Sequence, residues 1–150
     1  MTPTQSDFRQ DVADWVLRLP VAAAFGLTFH ELADGRAVTR LAWRPEHSHI
    51  RGAFQASPIA ALADFTGVSA GVTLLPAGGA AATVDYTVKF LTEARGEHLV
   101  ARARVLRPGA TLTVAAVDVF AVAGEAETLC AAALVTMRNV VARSPTPDGT

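Results

Sequence analysis

The segment GAFQASPIAALADFTGVSAGVTLL, residues 52–75, carries one formal charge, that of Asp64. Between Arg51 and Asp85 no other side chain is charged, while Ala, Gly and Val abound. A helix that is apolar nearly all round belongs inside a protein. A carboxylate in its middle is costly to desolvate unless it is paired, hydrogen-bonded or protonated. Asp64 is therefore the first candidate for chemistry. Ser57 before Pro58 predicts the helix start, because a serine oxygen can accept a free first-turn amide and proline suits the first helical position. Pro76 predicts its end, followed by a loop at Ala77-Gly78-Gly79. Ala60, Asp64, Gly67 and Gly71 share one side, small except for the acid and open to close approach by another backbone or a thin ligand. Leu62, Phe65 and Val72 form a bulkier side suited to packing on a sheet.

On the N-terminal side, Phe8, Val12, Trp15, Val16 and Leu19 recur at helical spacing, with Ser6 or Asp7 as cap and Pro20 as end. Residues 21–25 are too short to classify. Residues 27–33 read as a strand, Asp34-Gly35 as a hairpin turn and 36–44 as the returning strand, with Ala37, Thr39, Leu41 and Trp43 on one face. A polar loop covers 45–51. On the C-terminal side the period changes to four extended runs, 81–91, 97–106, 110–123 and 128–141. Their short connections predict antiparallel neighbours. In the first run Val84, Tyr86, Val88 and Phe90 alternate with Thr83, Asp85, Thr87 and Lys89, the pattern of a half-buried strand. In the third run Asp118 is the lone charge, expected to pair with Arg102 or Arg104 across the sheet.

The reading is α+β: a curved antiparallel sheet wrapped around one long central helix. Residues 1–25 form an N-terminal helix and lead-in, 26–141 the main domain, and 142–150 a polar tail expected to be disordered. One sheet rarely encloses a helix on all sides, so a partner subunit is expected to complete the cover.

Composition narrows the function. At 150 residues, half of them hydrophobic, with a net charge of -1, the chain has no basic excess for nucleic acid or an anionic membrane. Its apolar runs are too short to span a bilayer, and its start lacks the basic and apolar parts of a secretory signal. A single cysteine, Cys130, excludes an intrachain disulfide and fits a reducing cytoplasm. Its alanine-rich strand marks it as a buried structural thiol. His47 and His49 have the spacing of metal ligands but no third ligand nearby, so they read as solvated loop histidines and no metal is expected.

Order and motif together resemble the hotdog fold, specifically the acyl-CoA thioesterases of the phenylacetate-degradation type, over about residues 49–139. In that family a loop asparagine and a glycine precede histidine-glycine-glycine at the helix start, with an acid eight residues after the histidine. The matching positions here are His49, Gly52, Gln55, Ala56 and Ser57, and Asp64 takes the place of the acid. The histidine-glycine-glycine triplet has become Gln-Ala-Ser. The resemblance implies hydrolysis of an acyl-CoA thioester without a metal or redox cofactor, in a cytoplasmic homodimer or a dimer of dimers. Asp64 would be general base or nucleophile, and the Ala56 amide, near the positive helix end, and the Gln55 side chain would serve as oxyanion donors. Thr83 would hold the water or tune Asp64, from the neighbouring subunit where the family dimerises. His49, Gly52, Phe54, Ala56 and Ser57 would border the substrate, and Phe54, Phe65 and Phe90 would set pocket length. The loss of the triplet motivates an alternative, a non-catalytic protein binding acyl-CoA or another acyl ligand. A hotdog dehydratase ranks last, because Gln55 stands where such an enzyme needs histidine.

Overall fold

The computed structural model describes residues 7–140, so the tail and the Ser6 cap lie outside the described residues. In chain order the elements are α1 (Gln10–Leu17), α2 (Pro20–Phe25), β1 (Thr28–Ala33), β2 (Arg36–Ala42), a 3-10 turn (Pro45–His47), β3 (Ala53–Phe54), α3 (Ala56–Val72), β4 (Ala80–Phe90), β5 (Ala94–Arg95), β6 (His98–Arg107), β7 (Leu112–Ala123) and β8 (Ala126–Val140). Helix α1 starts later than the pattern suggests, with Arg9 at its cap position and no side-chain cap. Residues 21–25 fall in α2, which Pro20 opens and Gly26 closes with a φ of 87°. Asp34 and Gly35 have φ values of 52° and 76°, the two positive angles that a type I′ hairpin requires.

The main sheet is antiparallel, in the order β1-β2-β6-β7-β8-β4. The β6–β7 and β7–β8 hairpins follow the sequence reading. The first extended run does not, because β4 pairs with β8 rather than with β6. Both edges of β6 are taken, by β2 and by β7, so β4 occupies the free edge of β8. Three strand spacings, about 14 Å, then separate β4 from β6. The short link between them reaches roughly 20 Å when extended, enough to cross the end of the sheet. In crossing it forms β5, which pairs with β3 through Ala53↔Arg95 and Phe54↔Ala94.

Helix α3 touches all six strands of this sheet, and their contact is the core. Leu62, Ala63, Thr66, Gly67, Ala70 and Gly71 are buried on it, opposite Thr39, Leu41, Leu99, Val117, Val135 and Met137. A Cβ on Gly67 would lie 2.9 Å from Val135 Cγ2, and one on Gly71 would run into Met137 Sδ. The two glycines thus face the sheet, which corrects the expected stripe of small residues around Asp64. They bring helix and sheet together. The buried hydroxyls are satisfied locally: Thr66 donates to the Leu62 carbonyl and accepts from Thr39 at 2.6 Å. Thr73, at the end of α3, accepts the Gly35 amide at 2.8 Å and so ties the first hairpin to the helix.

A six-stranded antiparallel sheet around one long helix is the α+β hotdog arrangement. Two details of the sheet differ from expectation. Asp118 stands in register with Arg102, but that guanidinium makes a two-pronged pair with Glu127 at 2.8 and 2.9 Å and lies 4.7 Å from the centre of the Phe120 ring. Glutamate's longer side chain and the ring beneath hold the arginine away from its direct neighbour. The exposed edge strand is the second: Val84, Tyr86 and Phe90 are 57%, 44% and 50% exposed, so β4 is not half-buried within one chain. Cys130 is fully buried beside the Val119 carbonyl, where burial pushes its thiol up to about 11. It is an inert core residue.

Candidate active site

The approach to α3 is fixed before the helix begins. The Trp43 indole donates to the Ala53 carbonyl at 3.0 Å, and the Gln55 amide donates to the His47 carbonyl at 2.9 Å. Gly52 turns the chain with a φ of 80°, a conformation that favours glycine. The cap of α3 is Gln55 rather than Ser57: the Gln55 side-chain oxygen accepts the Ser57 backbone N–H. Ser57 and Pro58 therefore sit inside the first turn, where a proline still displaces no helical bond. This leaves a short inventory of donors. The Gln55 and Ser57 amides are engaged, Pro58 has none, and among the described residues the Ala56 N–H has no partner, at the positive end of the helix.

Asp64 lies two turns further along the helix, half-buried. Among the described residues no cation pairs with it. Its partner is Thr83, whose hydroxyl donates to Asp64 Oδ1 at 2.8 Å. Both residues belong to the same chain, which corrects the expectation that Thr83 reaches across from a neighbouring subunit. The contact depends on an irregularity in β4. Thr83 pairs with Met137 while Asp85 pairs with Thr136, so Val84 is an extra residue that flips the alternation. Thr83 thereby shares the helix-facing side with Tyr86, Val88 and Phe90 instead of the outer side with Asp85, Thr87 and Lys89. Burial pushes the Asp64 carboxyl above its ordinary range, and the Thr83 hydrogen bond, the smaller effect, pulls it back down.

Asp64 and Thr83 open onto a cavity of 130 Å³ whose other walls are Trp15, Val16, Leu19, Phe65, Val68, Ser69 and Ala81. The Ser69 hydroxyl is turned away from chemistry by its bond to the Phe65 carbonyl at 2.6 Å. The acid is thus the reactive group of a mostly apolar slot. Helix α1 supplies a wall of it that the sequence reading missed, since the first helix lay outside the resemblance. The available signal was the apolar face read over residues 8–19 in the sequence, which Trp15, Val16 and Leu19 share, although in the structure α1 ends at Leu17.

The other expected residues are spread along the approach. Gln55 stands nine residues before Asp64, about 13 Å along the helix axis. Ala56 and Ser57 are exposed at the helix start. His49 lines a shallow surface depression with Trp43, Pro45, Ser48, Ile50 and Arg51. Phe54 is 2% exposed and packs in the core, away from the Asp64 slot, while Phe90 lies on the open edge. His47 is not a solvated loop histidine: it is 7% exposed, 3.0 Å from the Phe25 carbonyl oxygen and edge-on to the Phe25 ring. Burial holds its imidazole below the usual range, and its role is to anchor the loop against α2.

This geometry has known counterparts. The family described as the thioesterase superfamily matches residues 58–128, which include Asp64 and Thr83. A thioesterase family protein from Silicibacter pomeroyi is 30% identical, with 88% of this chain and 97% of that one covered and a TM-score of 0.83. A variant of the phenylacetic acid degradation protein PaaI from Thermus thermophilus is 25% identical, covering 79% and 97%, with a TM-score of 0.66. A thioesterase from Haemophilus influenzae shares the fold at 18% identity, covering 84% and 86%, with a TM-score of 0.74. No curated protein matches the chain.

Proposed function

Since this chain belongs to the thioesterase superfamily, we propose that it hydrolyses an acyl-CoA thioester to the free acid and CoA. The observation that carries this reading is the Asp64 carboxylate, held among the described residues by Thr83 alone, at 2.8 Å, in a mostly apolar slot. A hydroxyl bound to one oxygen fixes the rotamer and leaves the second oxygen to act. As general base, Asp64 takes a proton from water as the water attacks the thioester carbon. As nucleophile, it attacks that carbon itself, expels the thiolate and is released by water from the resulting anhydride. A carboxyl raised by burial is a stronger base at neutral pH than an exposed one.

The developing oxyanion needs a donor, and the free Ala56 amide is the candidate. It precedes Asp64 by eight residues, about 12 Å along α3, too far for one carbonyl to meet both groups of one chain. The reading therefore requires two copies, with the helix start of one opposite the acid of the other. The exposed apolar side chains and open edge of β4 support such a homodimer, and two dimers could combine further. No helix among the described residues is long and apolar enough to cross a membrane, and a CoA thioester and a reduced Cys130 both fit the cytoplasm.

One observation favours a second reading, binding of an acyl-CoA or acyl ligand without turnover. Gln55 spends its side-chain oxygen on capping Ser57, and its amide cannot carry a proton as histidine does. A panel of acyl-CoAs, followed by trapping the released thiol, separates the two. Turnover of any member supports the hydrolase; binding without turnover, including in Gln55→His, supports the binding protein.

A further inference from the structure

We propose that α1 and the turn that follows it form the distal wall of the acyl slot, with Trp15 and Leu19 limiting the acyl group to about six carbons. This inference rests on the thioesterase reading and adds to it the class of acyl chain accepted. The direction of the slot follows from the helix. From Asp64 and Thr83 the cavity runs along Phe65, Val68 and Ser69, one turn toward the helix C-terminus. There Trp15 and Val16 of α1 and Leu19, just past its end, face it, and the Trp15 indole N–H is the one polar group among these three side chains.

The wall is anchored rather than draped. Arg9, at the start of α1, sends its guanidinium to the carbonyl of Thr73, which caps the end of α3, at 2.9 Å, and to that of Leu75, just beyond it, at 3.2 Å. Its backbone amide donates to the Leu32 carbonyl at 2.8 Å, and Asp11 pairs with the same guanidinium at 2.8 Å. A cation on the last carbonyls of a helix is also favoured by the helix dipole. Val16 is buried and Trp15 packs on the core, so the wall continues the fold and does not swing freely.

Size sets the limit. A closed apolar cavity of about 150 Å³ takes benzene, and the slot here, half open to its surroundings, offers 130 Å³. An acyl group of about six carbons fills it, and a longer one runs into the indole of Trp15. Each methylene gained or refused by an apolar pocket changes kcat/KM by about 10- to 200-fold, so the limit is measurable.

The test compares kcat/KM for butyryl- and decanoyl-CoA in the wild type, Trp15→Ala and Leu19→Ala. Leu19 is 36% exposed, so its truncation keeps the question open if Trp15→Ala does not fold. The wild type is expected to prefer butyryl-CoA, and the decanoyl-to-butyryl ratio to rise at least about tenfold in a folded variant. A ratio that stays at the wild-type value in the folded variants, or a wild type that prefers decanoyl-CoA, overturns the proposal. If the wild type hydrolyses neither, the acyl-CoA panel decides the thioesterase reading, and calorimetric affinities for the same two thioesters decide the wall. The same rise in the affinity ratio supports it; an unchanged ratio, or no binding at all, overturns it.

Discussion

The two flanks of α3 are built from similar residues and do opposite things. On the sheet side Gly67 and Gly71 remove their own side chains so that Val135, Val117 and Met137 can fill the space. On the other side Asp64, Phe65 and Val68 border a slot that no side chain fills. The first flank maximises contact, which stabilises the fold by excluding water and gaining dispersion. The second leaves a half-buried carboxylate with one hydroxyl partner, which costs stability. A fold keeps such a cost where the group is used. The contrast between a filled flank and an unfilled one is the reason to place chemistry at Asp64 rather than elsewhere in the helix.

The sharpest way to break this contrast is to add bulk on each side. Gly67→Val is expected to destabilise the protein by about 3 kcal/mol, because the added carbons meet Val135 and Val117, β-branched residues that cannot turn away. Val68→Leu, which adds one carbon beside the slot, is expected to change stability by less than about 1 kcal/mol. Urea unfolding of both variants checks the difference, and equal losses would mean that the two flanks are packed alike.

A smaller effect sharpens the role of Thr83. Its hydrogen bond lowers the Asp64 carboxyl against the rise caused by burial. Thr83→Val keeps the shape and removes the bond, so the acid limb of kcat/KM is expected to move to higher pH. Below that limb the rate should fall on the order of tenfold, with convergence toward the wild type above it. A pH profile that keeps its limb while the rate falls uniformly would make Thr83 a packing residue.

The smallest effect is on stability. Because burial raises the folded carboxyl above its ordinary value, the folded chain holds that proton more tightly than the unfolded chain does. The stability linked to it is fully present below the unfolded value of 3.8 and declines as pH rises from there through the folded value. Asp64→Asn removes the decline. Its melting temperature is expected to exceed that of the wild type at neutral pH, with the gap changing in the wild type's favour on acidification. A gap independent of pH would contradict the raised carboxyl.

The sequence carried α3 and its acid plainly, because a single charge among apolar residues is a contrast that no structure is needed to see. The Asp34-Gly35 turn and the inward face of Ala37, Thr39 and Leu41 were equally legible, since positive φ and strict alternation leave marks in residue type. The bulge at Val84 was not: an inserted residue changes the parity of Thr83 without disturbing the apolar-polar rhythm around it. The position of β4 was also hidden, because a link of that length serves a hairpin or a crossing equally well. The direction of Gly67 and Gly71 was misread for a related reason. A helix apolar on nearly every side does not announce which side meets the sheet, so small residues near an acid read as a ligand surface. The part α1 plays at the slot lay in a contact between distant segments, which no local pattern records.

The most direct measurement is kcat/KM of Asp64→Asn against the wild type, on whichever acyl-CoA the wild type turns over fastest. Asparagine keeps the shape and can still accept the Thr83 hydroxyl, so the fold and the slot are retained while the base or nucleophile is lost. The expected result is a fall of about 10²- to 10⁴-fold, carried by kcat, with KM little changed. Activity within about threefold of the wild type would contradict the account, because the unfilled flank of α3 would then owe nothing to its carboxylate.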